Sequence, residues 1–192
     1  EDEKHSYLKS NKFKILYSGN IGAKQDWNLF FNFINELKNV NNIEMIVVGE
    51  GAEKLNVLNN IKQFSFVKHF NLVPFDELPL LLSSADLHIL FQKEDVIDTV
   101  MPSKLLGMMA SGKPSIVTGN LKSEVATVLQ ESNGGYYFDG RSVKEITRHI
   151  DALIKNKELR EKLGLNARRY VNERFSQREV LDNFKKELTK VL

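Results

Sequence analysis

The sequence predicts a doubly wound α/β fold, a parallel sheet with helices on both faces. Three observations carry this. Short apolar or β-branched runs of strand length alternate with segments of helical periodicity. At 192 residues, 42% hydrophobic and 27% charged, the chain can bury one ordinary globular core. No internal repeat, low-complexity tract or Gly/Ser linker interrupts it, so residues 1–192 read as one domain.

The strand runs are Phe13 to Tyr17, Ile43 to Val48, Phe64 to Phe70, Leu87 to Phe91, Ser115 to Thr118 and Tyr136 to Phe138. After the first, Trp27, Phe30, Phe31, Ile34 and Leu37 recur at helical spacing behind Asp26, a natural N-cap. Leu55 to Ile61, Glu77 to Ser83 and Leu121 to Gln130 supply further helices. Pro102 opens a short helix carrying Ser103 and Lys104 in its first turn. Leu105, Leu106, Met108 and Met109 leave that helix almost no polar face, and Gly112 ends it. Beyond the last strand the pattern is helical. Ser142-Val-Lys-Glu145 and Ser176-Gln-Arg-Glu179 both match a capping box, and Leu159 to Arg174 between them reads as a charged surface helix with a narrow apolar stripe.

In open parallel sheets, ligands bind at the carboxyl ends of the strands, which directs attention to the loops there. The start of the helix after Pro102 is an anion site by its physics. Free backbone N–H groups point outward with the helix dipole behind them, and Lys104 adds a full charge. Ser18-Gly19-Asn20-Ile21-Gly22-Ala23-Lys24 follows the first strand. Its glycines permit close backbone approach to an anion, and Lys24 offers a point charge. Gly49-Glu50-Gly51 after the second strand is a weak signal, better read as a structural turn. Val73-Pro74-Phe75 after the third offers a flat apolar face for a base, with core packing of Phe75 an equal alternative. Glu94, Asp95 and Asp98 precede Pro102; they read as a solvated loop or as carboxylates able to grip sugar hydroxyls.

Several function classes are excluded. Neither the Gly-x-Gly-x-x-Gly of dinucleotide folds nor the Gly-Lys-Ser/Thr ending of a P-loop is present. A receiver-type domain needs an acidic magnesium cluster at the strand ends, where this chain has glycine and lysine. A net charge of +2 gives no footprint for wholesale nucleic-acid binding, so no nucleic-acid partner is expected. Zero cysteines rule out disulfides and thiolate sites. No apolar run approaches the length of a membrane span, and the charged start Glu1-Asp2-Glu3-Lys4 is no signal peptide.

Five segments in order give the chain a resemblance to the C-terminal, donor-nucleotide-binding half of a GT-B glycosyltransferase of family 4. They are Ile15-Leu-Tyr-Ser-Gly-Asn-Ile-Gly-Ala-Lys-Gln25, Val47-Val-Gly-Glu-Gly51, Val73-Pro-Phe-Asp-Glu-Leu78 with Ala85-Asp86, Met101-Pro-Ser-Lys-Leu-Leu-Gly-Met-Met-Ala-Ser-Gly-Lys-Pro114, and Arg174-Phe175-Ser176. The look-alikes serve bacterial colanic-acid, capsule and O-antigen assembly. The resemblance implies a nucleotide-diphosphate-sugar donor, UDP favoured over GDP, held without a required metal or other cofactor. It matches Gly19, Asn20 and Lys24 to the loop that grips the diphosphate, with Asn20 replacing the family's arginine. It matches Ser103, Lys104 and Leu105 to the segment whose N–H groups hold the pyrophosphate. The family's paired glutamates fall on Thr99 and Gly107, and both are missing; Asp98 stands beside the first and substitutes for it.

The chemistry this implies is physical. A glycosyl group leaves a diphosphate through an oxocarbenium-like state as negative charge grows on the leaving oxygen, so fixed donors there lower the barrier. Lys24, Lys104 and the helix start are those donors, with Asp98 toward the sugar. The acceptor belongs on an N-terminal domain outside these residues, so the isolated chain is expected to bind donor without turning it over. The full enzyme is expected in the cytoplasm, peripheral to the membrane that carries a lipid-linked acceptor. The alternative is a stand-alone nucleotide-sugar-binding module or one subunit of a split transferase.

Overall fold

In a computed structural model of the chain, described for residues 3–96, 102–176 and 181, six parallel strands form one sheet in the order β3-β2-β1-β4-β5-β6. The strands are β1 (Phe13–Ser18), β2 (Ile43–Val48), β3 (Val67–Phe70), β4 (Leu87–Phe91), β5 (Ser115–Thr118) and β6 (Gly135–Phe138). Helices alternate with them: α1 (Trp27–Leu37), α2 (Lys54–Ile61), α3 (Leu78–Ser83), α4 (Ser103–Ala110), α5 (Glu124–Ser132), then α6 (Val143–Lys155) and α7 (Lys157–Phe175). The order reverses between β1 and β4, the position at which doubly wound sheets open a crevice.

Strands β1, β2 and β4 are buried along almost their whole length because helices cover both faces. On one face α1 packs with α2 and α6; on the other α7 packs with α4 and α5, and α3 packs with α4. Four of the helix starts are capped as their sequences require. Asp26, Ser123, Ser142 and Asn156 accept from Leu29, Ala126, Glu145 and Leu159 N–H respectively.

Two boundaries differ from the sequence expectation by three residues. The third strand begins at Val67 rather than Phe64, because Phe64 and Val67 N–H are engaged in turns onto Ile61 and Phe64 carbonyls. The helix expected from Leu121 begins at Glu124. The Asn120 side chain accepts from Lys122 N–H and Ser123 then caps, which holds residues 121–123 in a turn with Leu121 exposed. The helix expected on the surface, α7, is partly embedded. Leu163, Ala167 and Val171 are buried, and a side chain at Gly164 would collide with the Gly112 carbonyl. The second capping box, at residues 176–179, falls largely outside the described residues.

Two charged residues, Lys14 and Glu44, are buried side by side near the amino edge of the sheet. Glu44 is buried; it pairs with Lys68 at 2.5 Å and accepts from the Ser10 hydroxyl at 2.7 Å. Burial pushes its carboxyl up, but the bonds from Lys68 and Ser10 outweigh that and leave it below the usual value. Among the described residues no helix is long and apolar enough to cross a membrane.

Candidate functional site

The carboxyl edge at the β1/β4 switch point brings together two of the predicted segments. Helix α4 starts there at Ser103 with Pro102 in extended backbone as its N-cap, and no side chain caps it. The N–H groups of Leu105 and Leu106 turn back onto the Pro102 carbonyl, whereas those of Ser103 and Lys104 have no partner among the described residues. Leu105, Met108 and Met109 are buried, so a core-anchored helix presents two open N–H donors and its positive dipole end to this edge.

Lys104 lies across the β1–α1 loop. Its Nζ donates to the Tyr17 hydroxyl at 3.1 Å and sits 4.5 Å from the Tyr17 ring centroid. A side chain on Gly19 would meet Lys104 Cε at 2.6 Å, and Gly19 also holds φ +123°, a conformation only glycine adopts readily. Glycine here is what lets the lysine cross. No carboxylate among the described residues pairs with Lys104, and burial brings its ammonium pKa down to about 8.

The rest of the loop is held by its own backbone. Gly19 N–H donates to Val48 O, Ile21 N–H to Glu50 O, and Gly22 N–H to the Gln25 side chain. Ser18 ends β1 opposite Val48. Trp27 Nε1 donates to Gly22 O at 3.0 Å and ties the loop to α1. Gly49 and Gly51 lie beneath the loop: a side chain on Gly49 would collide with the Gly19 carbonyl, and one on Gly51 with the Ile21 carbonyl. Both glycines leave room for the β1–α1 loop to pack against the end of β2. Lys24 is exposed on the same loop, and its carbonyl accepts Lys93 N–H from the segment beyond β4.

The β3–α3 loop lies two strands from β1, and among the described residues no hydrogen bond or ion pair joins it to Lys104. Val73 packs against the cluster of Leu16, Val48 and Leu81, while Pro74 is exposed. Phe75 is 89% exposed, which removes the core-packing alternative and leaves its ring face open. Asp98 and Thr99 lie outside the described residues. At Gly107 an added side chain would point at Leu82 of α3. Tyr17, at the end of the first strand run, is a site residue that the sequence does not single out. The available signal was a polar-tipped aromatic ending a buried strand immediately before Ser-Gly. Among the described residues no group of three or more His, Cys, Asp or Glu side chains is placed to hold a metal ion.

The geometry can therefore bind an anion with two N–H groups, a helix dipole and a partly buried ammonium. Comparison with known proteins agrees on the family. The description "Glycosyl transferases group 1" matches residues 1–170. The chain is 30% identical over 182 residues to WcaI of Escherichia coli K12, by name a colanic acid biosynthesis glycosyl transferase. That match takes in 92% of this chain and 43% of WcaI, so the chain spans less than half of that relative. The C-terminal domain of the group 1 glycosyl transferase LpcC from Francisella tularensis superposes with a TM-score of 0.69 at 19% identity, over 86% of this chain and 87% of that one. Anabaena HepE, solved in complex with UDP-glucose, superposes with a TM-score of 0.75 at 15% identity, over 94% of this chain and 49% of HepE. The fold is the Rossmann-like half of a GT-B architecture. The chain belongs to the group 1 glycosyl transferase family.

Proposed function

We propose that the β1/β4 carboxyl edge binds the diphosphate of a nucleotide-sugar, a UDP-sugar in preference to a GDP-sugar, and that the chain is the donor-binding half of a transferase of bacterial surface-polysaccharide assembly. The observation that carries this is Lys104, a partly buried cation with no carboxylate partner among the described residues, beside two open N–H groups at an uncapped helix start. Such a site is complementary to an anion.

HepE's complex with UDP-glucose and the name of WcaI support the choice of ligand and pathway class. In this reading Lys104, the α4 N–H groups and Lys24 stabilise negative charge on the leaving diphosphate, so no metal is required. The acceptor sits on an N-terminal domain supplied by the remainder of a longer enzyme or by a second chain, and the isolated chain binds donor without transferring it. The enzyme works in the cytoplasm at the inner membrane face, where a lipid-linked acceptor would be met.

Calorimetry with UDP, GDP and uridine tests the proposal. UDP binds and uridine does not measurably, because the phosphate contacts are the strongest. Equal affinity for uridine and UDP overturns it.

A further inference from the structure

Tyr17 is 2% exposed, yet its hydroxyl emerges at the carboxyl edge and makes two bonds. The proton goes to the Asn20 carbonyl at 2.6 Å, so toward Lys104 Nζ, at 3.1 Å, the oxygen can act only as acceptor. The same ring lies 4.5 Å from the ammonium and is itself fixed edge-on by Trp27 at 5.1 Å. Oxygen and ring thus hold one flexible lysine from two directions, over the one residue, Gly19, that leaves room for it.

We propose that Tyr17 is the positioning residue of Lys104, holding the ammonium over the β1–α1 loop where it meets the donor diphosphate. The ligand in this statement rests on the proposed function; the hold on Lys104 does not. A lysine left to itself loses rotamer freedom on binding an anion, and a lysine already held does not. Without Tyr17 the ammonium also loses the one acceptor it has among the described residues. Charged groups on the surrounding described segments are Lys24 and Asp26 of the β1–α1 loop, Glu50 and Glu53 of the β2–α2 loop packed against it, and Lys93, Glu94 and Asp95 beyond β4. Helix α3 carries none, and Arg168 of α7 lies at the far end of α4, against Gly112. None of these is what lowers the Lys104 pKa; burial is.

Tyr17→Phe removes the oxygen and keeps the ring. In the free protein, NMR titration of the lysine Cε and Nζ signals follows Lys104 directly. The midpoint, about 8 in the parent, falls by roughly half a pH unit or more in Tyr17→Phe. An unchanged midpoint overturns the proposal. Calorimetry with UDP supplies the second arm. Tyr17→Phe weakens UDP by about tenfold at pH 7, and by less than about twofold when Lys104 is already Met. An equal loss in both backgrounds assigns the effect to the Asn20 carbonyl and overturns the proposal. A parent chain with no affinity for UDP overturns the donor reading, and the NMR arm still decides what holds Lys104.

Discussion

Replacing Lys104 by Met should weaken ligand binding and stabilise the free protein at once. Met keeps much of the stem that crosses Gly19 and removes the charge. A charge-assisted hydrogen bond to a phosphate oxygen contributes about 1.5–3 kcal/mol, so UDP affinity should fall roughly 10- to 150-fold. Stability should move the other way. Burial lowers the Lys104 pKa from 10.5 to about 8, and a difference of about 2.5 pH units at roughly 1.4 kcal/mol each is about 3.5 kcal/mol. Partial access to solvent makes that an upper bound, and a gain of about 1–3 kcal/mol is expected. The sign follows from proton binding. Between pH 8 and 10.5 the unfolded chain holds the Lys104 proton more tightly than the folded one, so the parent gains stability as pH rises through that window. The advantage of Lys104→Met is therefore full at pH 7 and shrinks toward pH 10. Urea unfolding at both pH values, with UDP calorimetry at pH 7, measures the two effects. Unchanged UDP affinity together with lower stability would refute the reasoning and return Lys104 to a packing role.

Gly19→Ala should lose UDP binding and about 1–3 kcal/mol of stability, because alanine is strained at φ +123° and its methyl would lie 2.6 Å from Lys104 Cε; calorimetry and thermal unfolding check both. Glu44→Gln should destabilise by about 1–3 kcal/mol at neutral pH. The lowered carboxyl contributes above the unfolded-state value of 4.5 and loses that contribution as pH falls through its folded value, so parent and variant should converge in acid unfolding. Phe75→Ser should change stability by less than about 0.5 kcal/mol, since the ring is exposed. If the ring stacks on the base, the variant weakens UDP but not pyrophosphate, as competition experiments would show.

The fold was legible because its strands are buried on both faces and so read as short apolar runs between amphipathic helices. Asp26, Ser142 and Gly112 marked ends that local backbone chemistry alone dictates. Phe64 and Leu121 misled because their apolar character implies regular structure, while neighbouring turns had already engaged the backbone donors. The anion site was half legible. Pro102-Ser103-Lys104 announces a helix start with a cation, a purely local property. That Lys104 reaches Tyr17, 87 residues away in sequence, follows from β1 and β4 lying side by side, which no local pattern encodes. Gly49 and Gly51 are the converse case: their spacing alone reads as a turn, and which loop they pack against, that of the neighbouring strand, is again set by the sheet order.

The central claim is that a nucleoside diphosphate closes the gap between Lys104, the start of α4 and the β1–α1 loop. Amide NMR during UDP titration tests it most directly. The Ser103, Lys104 and Asn20 amides should shift first and furthest, with the Trp27 indole N–H following through its bond to Gly22 O. Saturable UDP binding that leaves the Ser103 and Lys104 amides unmoved, with shifts gathered elsewhere on the fold, would contradict it.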